Sequence, residues 1–308
     1  MPVMPVVPRP VLGVGCVVGA AVLWGTTGTA QALAGGSLPS LWFGALRLVF
    51  AALFFAVFAA ASGGLARPAW QGLPPRSAVA AGLCMAAYNL AFFAGVKLTG
   101  VGVGTAIALG SGPVWAGLLQ AVFYRQAPTG AWWVGTAVAV AGGVLLSAGS
   151  GVLAVSAVGV ALCLTSGLAY AVYTLLNKRM VGYAPASSIT LAAFAVAALV
   201  ALPWAALQSG MPPPMDAGDL FAVGYTGVVT AGVGYLLFST ALHHIRPATA
   251  VTLALTEPVV AFLLAVLLLG EPATLAAFGG LALVAAGVLG VVRNEMSPVR
   301  RRTPEPRR

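Results

Sequence analysis

Unbroken apolar stretches, each about as long as a bilayer is thick, alternate along this chain with short segments that hold most of its charges and turn-forming residues. A hydrocarbon core of roughly 30 Å needs about 20 residues of helix. Placing the ends at charges, prolines and polar turns predicts ten spans, at 11–33, 39–62, 77–97, 101–123, 129–148, 152–176, 187–207, 220–241, 247–270 and 273–293. The first run is long, lacks a clear cleavage site and precedes nine more spans, so it is expected to be retained rather than removed as a signal.

The pattern repeats internally. Pro113-Val114-Trp115-Ala116-Gly117-Leu118-Leu119 matches Pro258-Val259-Val260-Ala261-Phe262-Leu263-Leu264 at five of seven positions. Pro128, Gly135, Val140, Ala141, Gly143, Val144 and Leu145 recur as Pro272, Gly279, Val284, Ala285, Gly287, Val288 and Leu289. The shared prolines and glycines carry more weight than the aliphatic identities, which this composition produces by chance. Five spans per half is an odd number, so the second half enters the membrane from the opposite face. The expected fold class is therefore an all-α integral membrane protein of ten transmembrane helices in two inverted-topology five-helix repeats. Residues 11–148 and 152–293 form the repeats, 1–10 a cytoplasmic N-terminus and 294–308 a disordered basic cytoplasmic tail.

Composition agrees: 60% of the 308 residues are hydrophobic and 7% charged, too little polar surface to coat a water-soluble globule. The net charge of +9 would suggest a nucleic-acid partner in a soluble protein, but its distribution argues otherwise. Arg9, Arg67, Arg76, Arg125, Lys178, Arg179, Arg246, Arg293 and the tail residues Arg300, Arg301, Arg302, Arg307 and Arg308 fall on one side, against Lys97 alone on the other. The sparse side instead carries Asp216, Asp219 and Glu271. Positive loops stay inside, so both termini are expected in the cytoplasm and the chain in a bacterial inner membrane, with the lipid bilayer as partner and no nucleic acid. Cys16, Cys84 and Cys163 each lie in a different span, in no disulfide or metal spacing.

Polar groups at bilayer depth carry the functional argument, because a buried charge there costs at least about 2.5 kcal/mol. Arg47 lies roughly 12 Å from one end of its span and Glu257 roughly 15 Å from the end of its own, both near the midplane. Glu257 reads either as a proton-coupling carboxylate or ligand for a substrate ammonium, or as a neutral carboxyl that positions Pro258. Arg47 reads either as a substrate contact or as a guanidinium that satisfies backbone carbonyls and fixes the fold. Pro113 and Pro258 withdraw the amides that would bond the carbonyls of Leu109 and Ala254, predicting a helix break in each of these two spans, flanked by Ser111 and Thr256. Such breaks are tolerated at depth where they line a cavity. Helical spacing puts Trp24, Thr27 and Gln31 on one face, Tyr88 and Phe92 on another, and Tyr170, Tyr173 and Asn177 on a third. With Trp115, these are the candidates for lining a substrate cavity; the aromatic residues read equally well as interface anchors.

Gly135, Ala139 and Gly142, and likewise Gly279, Ala286 and Gly290, make small-residue faces on the fifth and tenth spans, which predict close helix packing there and a homodimer through them. Gly100, Gly102 and Gly104 lack the spacing of a phosphate loop, and His243-His244 lacks the acidic or thiol neighbours of a metal site. Neither Asp nor His falls mid-span, so an embedded enzyme is not expected, and no catalytic residue, metal or cofactor is assigned. A receptor, scaffold or channel is compatible with this composition but explains the inverted duplication less directly.

The turn Trp24-Gly25-Thr26-Thr27, Arg47, the two Pro-Val helices and Leu269-Gly270-Glu271 resemble the EamA family of the drug/metabolite transporter superfamily, over essentially the whole chain. Where the second half has Leu-Gly-Glu, the first has Tyr124-Arg125-Gln126. The resemblance implies a ten-helix bundle with a cavity lined by spans one to four and six to nine, with five and ten as scaffold. It also implies a secondary transporter moving a small metabolite by alternating access, an amino acid or relative in the efflux direction, with import as the alternative.

Overall fold

A computed structural model describes residues 9–35, 38–147, 156–270 and 274–296. Glu271, Pro272, residues 1–8, the start of the sixth predicted span and the tail beyond Met296 lie outside the described residues.

Every predicted span is helical over its described residues. The first five are α1 (Pro10–Ala34), α2 (Ser40–Ala61), α4 (Pro75–Thr99), α5 (Val101–Phe123) and α6 (Gly130–Ser147). The second five are α7 (Ala157–Met180), α8 (Ala186–Ser209), the composite Ala217–Ala241 of α9 and α10, the composite Pro247–Leu269 of α11 and α12, and α13 (Leu275–Met296). Among the described residues, nine are long and apolar enough to cross a membrane, and α6 is the shorter tenth. One extra short helix, α3 (Arg67–Gln71), sits in a connection and has no apolar run to announce it.

The packing obeys the duplication. Exchanging the halves maps the first span onto the sixth, the second onto the seventh, and so on. The third span packs on the sixth and, correspondingly, the eighth on the first; the fourth packs on the sixth and the ninth on the first. The second packs on the seventh and the fifth on the tenth, pairs that map onto themselves. This is the contact pattern of two halves related by a two-fold axis in the membrane plane.

Lipid replaces water as the outer solvent. Leu199, Leu207, Leu267 and Phe123 are 73%, 80%, 75% and 73% exposed, while the interior is rich in alanine and glycine. Small residues let backbones approach where both interior and surroundings are apolar. Between the fifth and tenth spans the backbones approach closely: a Cβ on Gly142 would lie 2.6 Å from the Gly280 carbonyl oxygen, and one on Gly287 2.4 Å from the Ala139 nitrogen. The predicted face of the fifth span, Gly135, Ala139 and Gly142, packs as expected, but the tenth span meets it with Gly280, Val284 and Gly287 rather than with Gly279, Ala286 and Gly290, of which Ala286 is exposed.

Three local departures matter. The eighth span runs through a π-helical stretch, Thr226–Val233, between two α-helical pieces. The ninth span tightens into a 3-10 turn, Ala254–Thr256, in front of Pro258, whereas the fourth stays one α-helix through Pro113. The matching breaks expected from the paired prolines are therefore not found. Finally, α13 continues through Met296, so the tail does not begin at Asn294. Asn294 accepts a hydrogen bond from Thr129 Oγ1 (2.8 Å), and Glu295 accepts from the Arg246 amide (3.2 Å) and Thr249 Oγ1 (2.6 Å), which anchors that end.

Candidate functional site

A cavity of about 220 Å3 occupies the middle of the bundle. Of the residues singled out from sequence, Trp24, Thr27, Gln31, Arg47, Tyr88, Phe92, Tyr170 and Glu257 line it together. Thr105, Phe93 and Tyr235 also line it and were missed. Contributions come from spans one, two, three, four, six, eight and nine; the seventh, expected from the family resemblance, supplies none.

The other candidates lie elsewhere. Ser111 Oγ donates to the Ala108 carbonyl (3.2 Å) and packs toward Gly167. Thr256 is bonded to the Leu253 carbonyl, and Pro258 faces a separate small crevice beside Thr105 and Val140. Trp115 is partly buried away from the cavity, and Pro113 is buried within its helix. Tyr173 is fully buried and accepts from Asn177 Nδ2 (3.0 Å). Each misplacement has the same physical cause: a residue next to a site residue, or one turn beyond the cavity's end, shares its sequence neighbourhood but not its direction.

The floor is aromatic. The Trp24 ring centroid lies 5.0 Å from Tyr235, 5.5 Å from Phe238 and 6.4 Å from Tyr170, and Tyr88 lies 5.4 Å from Tyr170. Trp24 is only 5% exposed, and its indole N–H donates to the Thr230 carbonyl at 2.9 Å, inside the π stretch. The wider π turn leaves backbone carbonyls displaced from the α ladder, and here the tryptophan occupies one of them. A Cβ on Gly234 would lie 2.7 Å from the same nitrogen, so this contact needs a glycine. The Tyr170 hydroxyl, by contrast, is buried with no hydrogen-bond partner among the described residues, as is Arg47 Nε. Unpartnered buried polar atoms on a cavity wall are costly unless something else meets them.

Ala254 does not offer the free carbonyl expected of it. The Glu257 amide bonds it across the 3-10 turn, one residue ahead of the proline that could not. The turn thereby places Glu257 at the first position of α12, on the cavity wall.

The two ends of the bundle differ. Lining residues on the first, second and fourth spans run from mid-helix toward the face opposite the termini, and a smaller crevice lined by Gln31, Leu38, Phe43 and Asp219 lies on that side. Hydrogen bonds join the spans at both ends: toward the face opposite the termini Thr26 Oγ1 pairs with the Tyr225 hydroxyl (2.9 Å) and Trp42 Nε1 donates to the Gly210 carbonyl (3.0 Å), and others lie toward the terminus-bearing face. Ser239 Oγ donates to Asn177 Oδ1 (2.9 Å), Lys178 Nζ to the carbonyls of Leu242 and Ile245, and Tyr124 to the Leu175 carbonyl (2.9 Å). Among the described residues, no group of His, Cys, Asp and Glu is arranged to hold a metal ion.

An inverted-repeat bundle with a cavity at mid-depth is an arrangement that membrane transporters use, and comparison with known proteins agrees. The EamA-like transporter family model matches residues 11–148 and again 157–293, and the chain belongs to that family, within the drug/metabolite transporter superfamily. It is 36% identical over 274 residues to the "Uncharacterized transporter YwfM" of Bacillus subtilis, covering 88% of this chain and 90% of that one. It is 33% identical over 269 residues to an uncharacterized Pseudomonas aeruginosa protein, covering 84% and 88%. A solved crystal structure superposes with a TM-score of 0.81 over 94% of this chain and 100% of that one; at 18% identity this shows the shared fold.

Proposed function

We infer that the chain exports a small zwitterionic metabolite, an amino acid or close relative, across a bacterial plasma membrane, with both termini in the cytoplasm. The observation that carries this is the pairing of one cation, Arg47, and one acid, Glu257, on the wall of a single aromatic-lined cavity. Arg47 suits a substrate carboxylate through its planar fork, and the aromatic wall suits an apolar side chain or an ammonium. In this reading the conformation described opens to one face of the membrane. Its two-fold-related counterpart opens the other way, and exchange between them moves the substrate. Glu257 serves as the proton-coupling group, because returning a proton across the membrane supplies the work for concentrative export.

Reconstitution into liposomes tests the coupling: Glu257→Gln should abolish accumulation driven by a proton gradient while sparing substrate exchange, and unchanged accumulation would overturn it. Direction is read in cells. Expression should raise tolerance to toxic amino-acid analogues and lower their internal content, whereas a higher content would establish import.

A further inference from the structure

On the terminus-bearing face, the ends of α5 and α7 enclose a second crevice of about 360 Å3, larger than the central cavity and sharing no lining residue with it. Leu119, Phe123, Leu175 and Leu176 form its walls, with Tyr124 and Arg179 at the polar end. Its lining reaches back along α7 to Val172, roughly 10 Å of helix. Phe123 is 73% exposed, so this apolar slot meets the hydrocarbon around the bundle rather than the substrate route.

The polar groups at the mouth are not equivalent. Tyr124 commits its hydroxyl proton to the Leu175 carbonyl, and Lys178 is held by two backbone carbonyls. Arg179 is exposed and, among the described residues, has no hydrogen bond or ion-pair partner. Arg125, exposed and held at φ 52°, follows Tyr124 directly and adds a second positive charge on the same rim.

We propose that this crevice is a binding site for an acidic glycerophospholipid of the leaflet on the terminus-bearing face, one acyl chain lying along Leu176 and Phe123 and the phosphate meeting Arg179. An apolar slot that ends at the membrane–water boundary under an unpaired guanidinium has the chemistry of that amphiphile. A second copy of the chain is a poorer occupant because it brings little acid to this face. Of the four acidic residues among those described, Asp216 and Asp219 lie at the opposite face, Glu257 lines the central cavity and Glu295 is bonded to Arg246 and Thr249. The chain's own end is no better suited, since 297–308 holds five arginines and one glutamate. The slot lies against the same helix, α7, whose other face carries Tyr170 and Asn177, so an occupied slot braces the wall of the central cavity from outside.

Native mass spectrometry of the full-length protein in mild detergent tests this, titrating phosphatidylglycerol and phosphatidylcholine of identical acyl chains. The wild type should retain phosphatidylglycerol preferentially. Arg179→Gln should cut that preference about fivefold, Arg179→Lys should keep most of it, and Leu176→Trp should lose both lipids by filling the slot. Equal retention of the two lipids by the wild type, an unchanged preference in Arg179→Gln, or full retention in Leu176→Trp would overturn the proposal. So would a dimer that Leu176→Trp dissociates, which would assign the slot to a second copy. Since lipid retention is measured without transport, its failure leaves the export reading untouched, and the reverse holds too.

Discussion

The fourth and ninth spans carry the same proline at the same place in a duplicated sequence, yet only the ninth departs from α-helix there. In the fourth, Ser111 folds back onto the Ala108 carbonyl and Gly112 packs against Val251 of the ninth, where a Cβ would come within 3.3 Å. In the ninth, a 3-10 turn takes up the Ala254 carbonyl and delivers Glu257 to the cavity. The position before the proline is glycine in one half and glutamate in the other. Duplication thus preserved the backbone opportunity in both halves, while one half kept a close packing surface and the other acquired a charge.

Moving the acid is the harshest way to break this comparison. Gly112→Glu puts a carboxyl against Val251 and Tyr170 and should lower stability by about 2.5 kcal/mol or more, read as a fall in the melting temperature of the purified protein. Pairing it with Glu257→Gly should not restore transport; recovery would mean that the two spans are interchangeable. Next come the prolines. Pro258→Ala should let the ninth span continue as α-helix and reduce transport about tenfold without lowering the melting temperature, while Pro113→Ala should stay within about twofold of wild type. Equal losses would erase the distinction.

A milder contrast involves Trp24 and Tyr170, which hold similar positions in the first and sixth spans. Trp24→Phe removes a hydrogen bond between helices and should cost about 0.6 to 1.7 kcal/mol; Tyr170→Phe removes an unpartnered hydroxyl and should cost nothing in stability while altering substrate affinity. Equal melting temperatures for the two variants would contradict this. The smallest effect concerns the connections ahead of the two proline spans. Gly100 alone, at φ 84°, joins the third span to the fourth, whereas Leu242–Arg246 separates the eighth from the ninth. Burial, then the neighbouring His244 and Lys178, hold the His243 imidazole below its usual pKa of 6.5. The folded state therefore binds fewer protons than the unfolded one, so stability is full above about pH 6.5 and falls as the pH drops below it. His243→Gln should flatten part of the melting-temperature decline between pH 7 and 5.

The spans were readable from sequence because length and apolarity suffice to place a helix in a bilayer, and the inverted relation followed from counting. Arg47 and Glu257 were readable because charge at depth is rare. The π stretch was not, since Thr226–Val233 has the same apolar character as any other turn of its span. Tyr235 left a faint trace: it is a mid-span tyrosine like Tyr88 and Tyr170, with Ser239 one turn further along the same face. Ser111 and Thr256 misled because nearness to a proline says nothing about which way a side chain points.

The π stretch also acts as a reserve of register. It holds its extra residue between Thr226 and Val233, just ahead of Tyr235. Were that residue passed along the helix, everything it crossed would rotate by about 100° about the helix axis, because 3.6 residues complete a turn. The eighth span can in this way behave like a camshaft, turning Tyr235 toward or away from the cavity while its two ends stay in place. The Trp24 indole, bonded within the stretch, is the pawl that holds the present setting.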